Sequence, residues 1–234
     1  MTTRKSKIQN PQPKIIVVGA SLGGYEALKV VLSALPEDFP IPLIIVLHRG
    51  RDSRESLAEQ LQKAARLPVV EAEDKMPVEP GRIYLAPADY HLLIEKDFGF
   101  WILDFGLKDG RTFGNEQRTW GKINPKSKIP NPKSKIHFAL STEEPVNYAR
   151  PSIDVLFESA AEAYGPGVTG IILTGNSEDG AKGLSVIKHR GGRAIVQDPI
   201  TAEAPAMPEA AIKAAWVDRV MSLEEIGKAL GKLF

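Results

Sequence analysis

The run Lys14-Ile15-Ile16-Val17-Val18 passes directly into Gly19-Ala20-Ser21-Leu22-Gly23-Gly24 and then into a helical pattern from Tyr25 to about Ala34. A β-branched strand, a glycine-rich turn and a helix form a βα unit, and repeats of that unit close as a parallel sheet with right-handed crossovers. The pattern recurs. Ile41 to Leu47 is a second apolar run, followed by a helix around Ser56 to Ala65, where Ser56 and Glu59 have capping-box spacing. Val69 to Glu71 and Arg82 to Leu85 read as strands with a turn at Gly81, and His91 to Glu95 with Phe100 to Leu103 reads as a hairpin around Gly99. Further on, Ser152 is placed to cap a helix whose apolar face is Ile153, Leu156, Phe157, Ala160 and Tyr164. Val168 to Leu173 is a strong strand, Gly180 to Arg190 a helix, Ala194 to Val196 a strand and Pro208 to Ala214 a helix. A last helix starts at Ser222, with Glu225 three residues on. The expected fold is α/β: a doubly wound, mostly parallel sheet flanked by helices (Rossmann-like), with an appended antiparallel hairpin.

Between Asp104 and His137 the periodicity dissolves. The unit Asn124-Pro125-Lys126-Ser127-Lys128-Ile129 recurs as Asn131-Pro132-Lys133-Ser134-Lys135-Ile136, and its prolines forbid a regular helix or a central strand. Lys108 to Lys135 carries a net charge of +6 against +1 for the whole chain. The expected organisation is a flexible tail over residues 1–13 and one domain over 14–234, with a disordered basic insertion at about 105–136. Its lysines Lys122, Lys126, Lys128, Lys133 and Lys135 are candidates for steering the protein toward acidic partners.

The chain has no cysteine, which excludes disulfides, thiolate metal sites and a cysteine nucleophile. A net charge of +1 gives no reason to expect nucleic acid as a partner. No apolar stretch approaches the ~18 residues a membrane span requires, and the basic N-terminus lacks the apolar run of a signal peptide. A cytoplasmic protein without membrane insertion is expected. The four histidines show no metal-ligand spacing, so neither metal nor other cofactor is expected.

Three strands end in residues that carry chemistry. Ser21 follows the first strand, His48 follows Ile44-Ile45-Val46-Leu47, and Asp179 lies in Thr174-Gly175-Asn176-Ser177-Glu178-Asp179-Gly180 after the strongest strand. In an open parallel sheet the carboxyl ends of the strands share one edge, where ligands bind, so these three can meet. A serine, a histidine and an aspartate on one edge point to a serine hydrolase. Each also has a plainer reading: a dinucleotide-binding turn around Ser21, a hydrogen-bonded His48, a helix cap at Asp179. A nicotinamide site would want an acidic residue about 20 residues on, at the end of the second strand. The chain offers His48-Arg49-Gly50 there. An arginine suits a 2′-phosphate, so a dinucleotide-binding oxidoreductase stays open. Glu178, next to Asp179, is expected to face solvent.

Ser21, His48 and Asp179, in this order and context, resemble the catalytic domain of the chemotaxis protein-glutamate methylesterases. So do Ile83-Tyr84-Leu85-Ala86-Pro87, Arg150-Pro151-Ser152-Ile153-Asp154-Val155-Leu156-Phe157, Gln197-Asp198-Pro199 and Met207-Pro208-Glu209-Ala210-Ala211-Ile212. The resemblance implies hydrolysis of glutamate methyl esters, and deamidation of glutamines, on the cytoplasmic helices of methyl-accepting chemoreceptors. It implies Ser21 as nucleophile, His48 as general base and then acid, Asp179 as the group orienting His48, and the backbone amides of Leu22 and Asn176 as oxyanion donors. Leu22 stands where threonine is usual, and Asn176-Ser177-Glu178 replaces a stretch usually closer to Met-Gly-Asn. The family's usual N-terminal receiver domain has no counterpart in the 13 residues before the first strand. Control by a separate receiver or kinase protein, or none, is therefore expected. A catalytically silent module that binds receptors is the other reading.

Overall fold

The computed structural model describes residues 14–48, 56–96 and 136–232. Strand β1 (Ile15–Ala20) lies at the centre of a seven-stranded sheet, and all six of its residues are buried. Ile16 and Val18 point into one apolar cluster and Ile15 and Val17 into another, on opposite faces of the sheet. A strand covered on both sides reads as an unbroken apolar run, which is why this segment shows no alternation.

The chain continues through α1 (Gly24–Ser33), β2 (Leu43–Leu47), α2 (Leu57–Gln62), β3 (Val69–Glu71) and β4 (Ile83–Leu85). Next come β5 (His91–Lys96), β6 (Ile136–Ser141) and α3 (Ile153–Tyr164). The last part holds β7 (Val168–Ile172), α4 (Ala181–His189), β8 (Arg193–Gln197), α5 (Ala206–Ala214), β9 (Arg219–Met221) and α6 (Leu223–Gly231). The main sheet runs β3-β4-β2-β1-β7-β8-β9, every pair parallel. The chain winds outward from β1 in one direction through β2 and in the other through β7. Strand order therefore reverses between β1 and β7, and a doubly wound sheet binds its ligand at such a reversal. Helices α1 and α6 pack on one face, and α3 and α4 on the other. The expected fold class is the one observed.

Local differences have local causes. β5 pairs antiparallel with β6, from His91 opposite Ser141 to Lys96 opposite Ile136. The hairpin partner expected at Phe100 to Leu103 lies outside the described residues, as do the tail 1–13 and nearly all of the basic insertion. The small sheet is fixed to α3 by apolar packing of Leu92, Ile94 and Phe138, and Ser159 Oγ accepts the Ile94 amide at 3.1 Å. Ser56 starts α2 without a side-chain cap. That helix stops at Gln62, whose side chain takes the carbonyls of Ala65 and Leu67 and the amide of Val69. β9 was not expected: it has three residues, too few to show a period, and Arg219 and Val220 are exposed.

Candidate active site

Ser21 leaves β1 in a tight turn. Its amide donates to the Thr174 carbonyl at 2.9 Å, and its carbonyl accepts the Gly24 amide at 2.8 Å. Gly23 supplies the left-handed backbone (φ 74°) that opens α1, a conformation disfavoured for residues with a Cβ. Gly19 is not part of the turn but the penultimate residue of β1, and the Ile153 side chain occupies the space a Cβ would need. Gly175 is bare for a similar reason: an added Cβ would lie 2.9 Å from Ser21 Cβ and 2.8 Å from Met207 Sδ.

His48 follows β2, and its amide donates to the Ala20 carbonyl at 3.0 Å, which carries the β1–β2 pairing up to the site. Its Nε2 lies 2.9 Å from Asp179 Oδ2. The imidazole is 15% exposed and the carboxylate fully buried. With Nε2–H donating to Asp179, Nδ1 is left as the acceptor nitrogen. Ser21 and His48 line one cavity of about 650 Å³, with Asn147, Tyr148, Arg150 and Asn176. The sequence-predicted residues thus gather at the reversal of strand order. Leu22 is exposed beside it.

Asp179 does more than face His48. Oδ2 also accepts the Ile153 amide at 2.7 Å, and Oδ1 accepts the Asp154 amide at 3.1 Å, Ser152 Oγ at 2.8 Å and Asn147 Nδ2 at 3.3 Å. The carboxylate thereby caps α3 from another part of the chain. This corrects two expectations. Ser152 makes no cap bond to its own helix, and Asp179 caps not the helix that follows it, whose N-cap is Gly180, but α3. Burial alone would raise the Asp179 pKa. The bond to His48, the two amides and the Ser152 hydroxyl outweigh burial and hold it below the ordinary carboxylate value. Asp154 shows the opposite balance. Burial pushes its pKa up despite the Gly183 amide it accepts, and the Asp179 charge adds to the rise. Glu178 is exposed, as expected.

Sequence reasoning passed over several supporting side chains. His91 is buried; its Nδ1 accepts the Ser152 amide at 3.2 Å and its Nε2 lies 3.1 Å from the Glu144 carbonyl, so it fixes the residue that donates to Asp179. Asn147 (φ 50°) reaches both Asp154 Oδ2, at 2.8 Å, and Asp179. Thr174 Oγ1 donates to the Leu22 carbonyl at 2.9 Å and accepts the Ala204 amide at 2.8 Å, while Gln197 Oε1 accepts the Thr174 amide at 2.8 Å. These bonds hold the Leu22 peptide in place. Among the described residues, neither the Leu22 nor the Asn176 amide donates a hydrogen bond. Thr174 and Gln197 lie inside motifs readable in the sequence; Asn147 carries no signal of its own.

Fold and site together define a doubly wound α/β domain with hydroxyl, imidazole and carboxylate groups gathered at the carboxyl edge of its sheet. Comparison with known proteins narrows that class. The family model described as CheB methylesterase matches residues 16–230, and the chain belongs to this family. It is 41% identical over 218 residues to a putative protein-glutamate methylesterase/protein-glutamine glutaminase of Leptospira interrogans, covering 93% of each chain. It is 32% identical to a protein-glutamate methylesterase/protein-glutamine glutaminase of Maricaulis maris, covering 94% of this chain but 46% of that relative. Among solved structures it superimposes on the Thermotoga maritima CheB methylesterase catalytic domain with a TM-score of 0.76, 30% identity and full coverage of that domain.

Proposed function

We propose that the protein hydrolyses glutamate γ-methyl esters, and deamidates glutamines, on the cytoplasmic helices of chemoreceptors. Ser21 Oγ attacks the side-chain carbonyl carbon while His48 Nδ1 takes its proton. The tetrahedral oxyanion rests on the Leu22 and Asn176 amides. His48 then protonates the departing methoxide, or amine, and methanol or ammonia leaves. Water, deprotonated by the same imidazole, releases the new glutamate and restores Ser21. Asp179 keeps its charge throughout, fixing Nε2 as the protonated nitrogen and stabilising the imidazolium as it forms. The observation that carries this reading is the 2.9 Å contact of His48 Nε2 with a fully buried carboxylate, in a ring lining the same cavity as Ser21.

Family membership and the names of the relatives support the substrate class. Methanol release from a methylated receptor fragment tests it: Ser21→Ala is expected to lower kcat by about 10⁶-fold while the protein stays folded. A Ser21→Ala protein as fast as wild type would refute the mechanism. A wild-type protein that binds the fragment but releases no methanol would favour the silent receptor-binding module.

A further inference from the structure

Arg150 lies on the wall of the cavity that holds Ser21 and His48. Its Nη1 donates to the carbonyls of Thr142, at 2.9 Å, and Glu143, at 3.0 Å, which fixes the plane of the guanidinium. Its Nε is shielded from solvent and has no hydrogen-bond partner. Among the described residues no carboxylate pairs with this cation, whereas Arg82, equally half-buried, is paired with Glu79 at 3.1 Å. Asp89, an acid on the same cavity wall, is already engaged in an interaction of its own. A half-buried guanidinium that is held rigid but has no counter-ion among the described residues has paid its ordering cost in advance, and planar bidentate pairing with a carboxylate is what it does best. Its place in the chain is just as firmly set. Arg150 precedes Pro151 and Ser152, the latter bonded through its side chain to Asp179 and through its amide to His91.

We propose that Arg150 forms a carboxylate-binding subsite, selecting substrates in which an acidic side chain neighbours the reacting glutamate ester. This rests on the ester-hydrolase reading above. The subsite recognises the neighbour, not the reacting group: the ester is neutral and offers no charge to pair with the guanidinium, whereas a neighbouring carboxylate does. The two carbonyl bonds engage Nη1 alone, so Nη2 is left to meet an incoming carboxylate, and the shielded Nε becomes its second donor only when the side chain shifts on binding. No covalent step is involved.

The test uses two peptides of identical length that carry one glutamate γ-methyl ester flanked either by glutamates or by glutamines, together with the unesterified glutamate-flanked peptide as a fluorescent binding probe. Wild type, Arg150→Gln and Arg150→Lys are compared for kcat and KM by methanol release, and for probe binding by anisotropy. Wild type is expected to show a KM about tenfold lower for the acidic-flanked ester. Arg150→Gln should bring the ratio of the two KM values close to one, and Arg150→Lys should restore part of it, because a point charge replaces only half of a fork. Equal KM values in wild type would overturn the subsite while leaving the hydrolase intact. So would Arg150→Gln raising both KM values by the same factor, the signature of a mere clamp on the 142–143 carbonyls. Hydrolysis of neither ester, with probe binding lost in Arg150→Gln, would keep the subsite and refute the ester reading. Neither hydrolysis nor binding would refute both.

Discussion

Helices α3 and α6 begin in opposite ways. The start of α6 is closed by its own sequence: Ser222 Oγ accepts the Glu225 amide at 3.3 Å, and Glu225 Oε2 accepts the Ser222 amide at 2.9 Å. The start of α3 is closed by Asp179, 26 residues beyond Ile153, whose amide it accepts. Both arrangements satisfy orphan amides at the positive end of a helix dipole. The difference lies in what else the cap does. Ser222 and Glu225 serve α6 alone. The carboxylate of Asp179 also holds His48, so one group joins the stability of a helix to the geometry of the site.

Substitutions at the two caps should separate these roles. Asp179→Ala strands two buried amides and a buried hydroxyl, and is expected to cost about 3 kcal/mol or more of stability by denaturant melts. The same change should lower kcat by about 10⁴-fold in the methanol assay. Asp179→Asn is a gentler probe and one that depends on pH. The folded pKa of Asp179 lies below its ordinary 3.8, so its charge stabilises the fold fully above that value and loses this effect as pH falls through the lower folded one. The stability gap between wild type and Asp179→Asn should therefore be constant near neutrality and narrow in strong acid. A gap independent of pH would show that the charge contributes nothing. Ser152→Ala removes one donor from Oδ1 and should cost about 1 kcal/mol and about fivefold in kcat. Ser222→Ala should cost about 1 kcal/mol or less and leave kcat unchanged. If it slowed catalysis as Ser152→Ala does, the contrast between the caps would fail.

The same contrast explains what the sequence makes legible. The α6 capping box is a local pattern and is read correctly, as are the apolar face of α3 and the central strands, because burial on both sides leaves an unbroken apolar run. That Ser21, His48 and Asp179 share one edge is legible because each follows a core strand and the parallel arrangement brings strand ends together. What bonds to Asp179 is not readable that way. Ser152 has the residue type and position of a helix cap, yet its hydroxyl is drawn to a carboxylate that arrives 27 residues later. His91 belongs to a peripheral strand and shows no sign of reaching the Ser152 amide. Asn147 sits in a tight turn closed by reciprocal Val146–Ala149 hydrogen bonds, but a turn residue gives no sign that its side chain reaches Asp154 and Asp179. β6 begins at Ile136, the last residue of the proline-rich repeat, so the end of the irregular stretch conceals the strand that pairs with β5.

The order of the three groups along the chain has a consequence for synthesis. Hydroxyl and imidazole emerge from the ribosome early, on neighbouring strands, whereas the carboxylate comes at position 179 of 234, after β7 has been made. Until then the imidazole has no acceptor to set its tautomer, and the first turn of α3 has no cap. A nascent chain ending before that point carries the hydroxyl and the imidazole without the carboxylate that bonds His48 and caps α3, so one late residue completes both contacts at once.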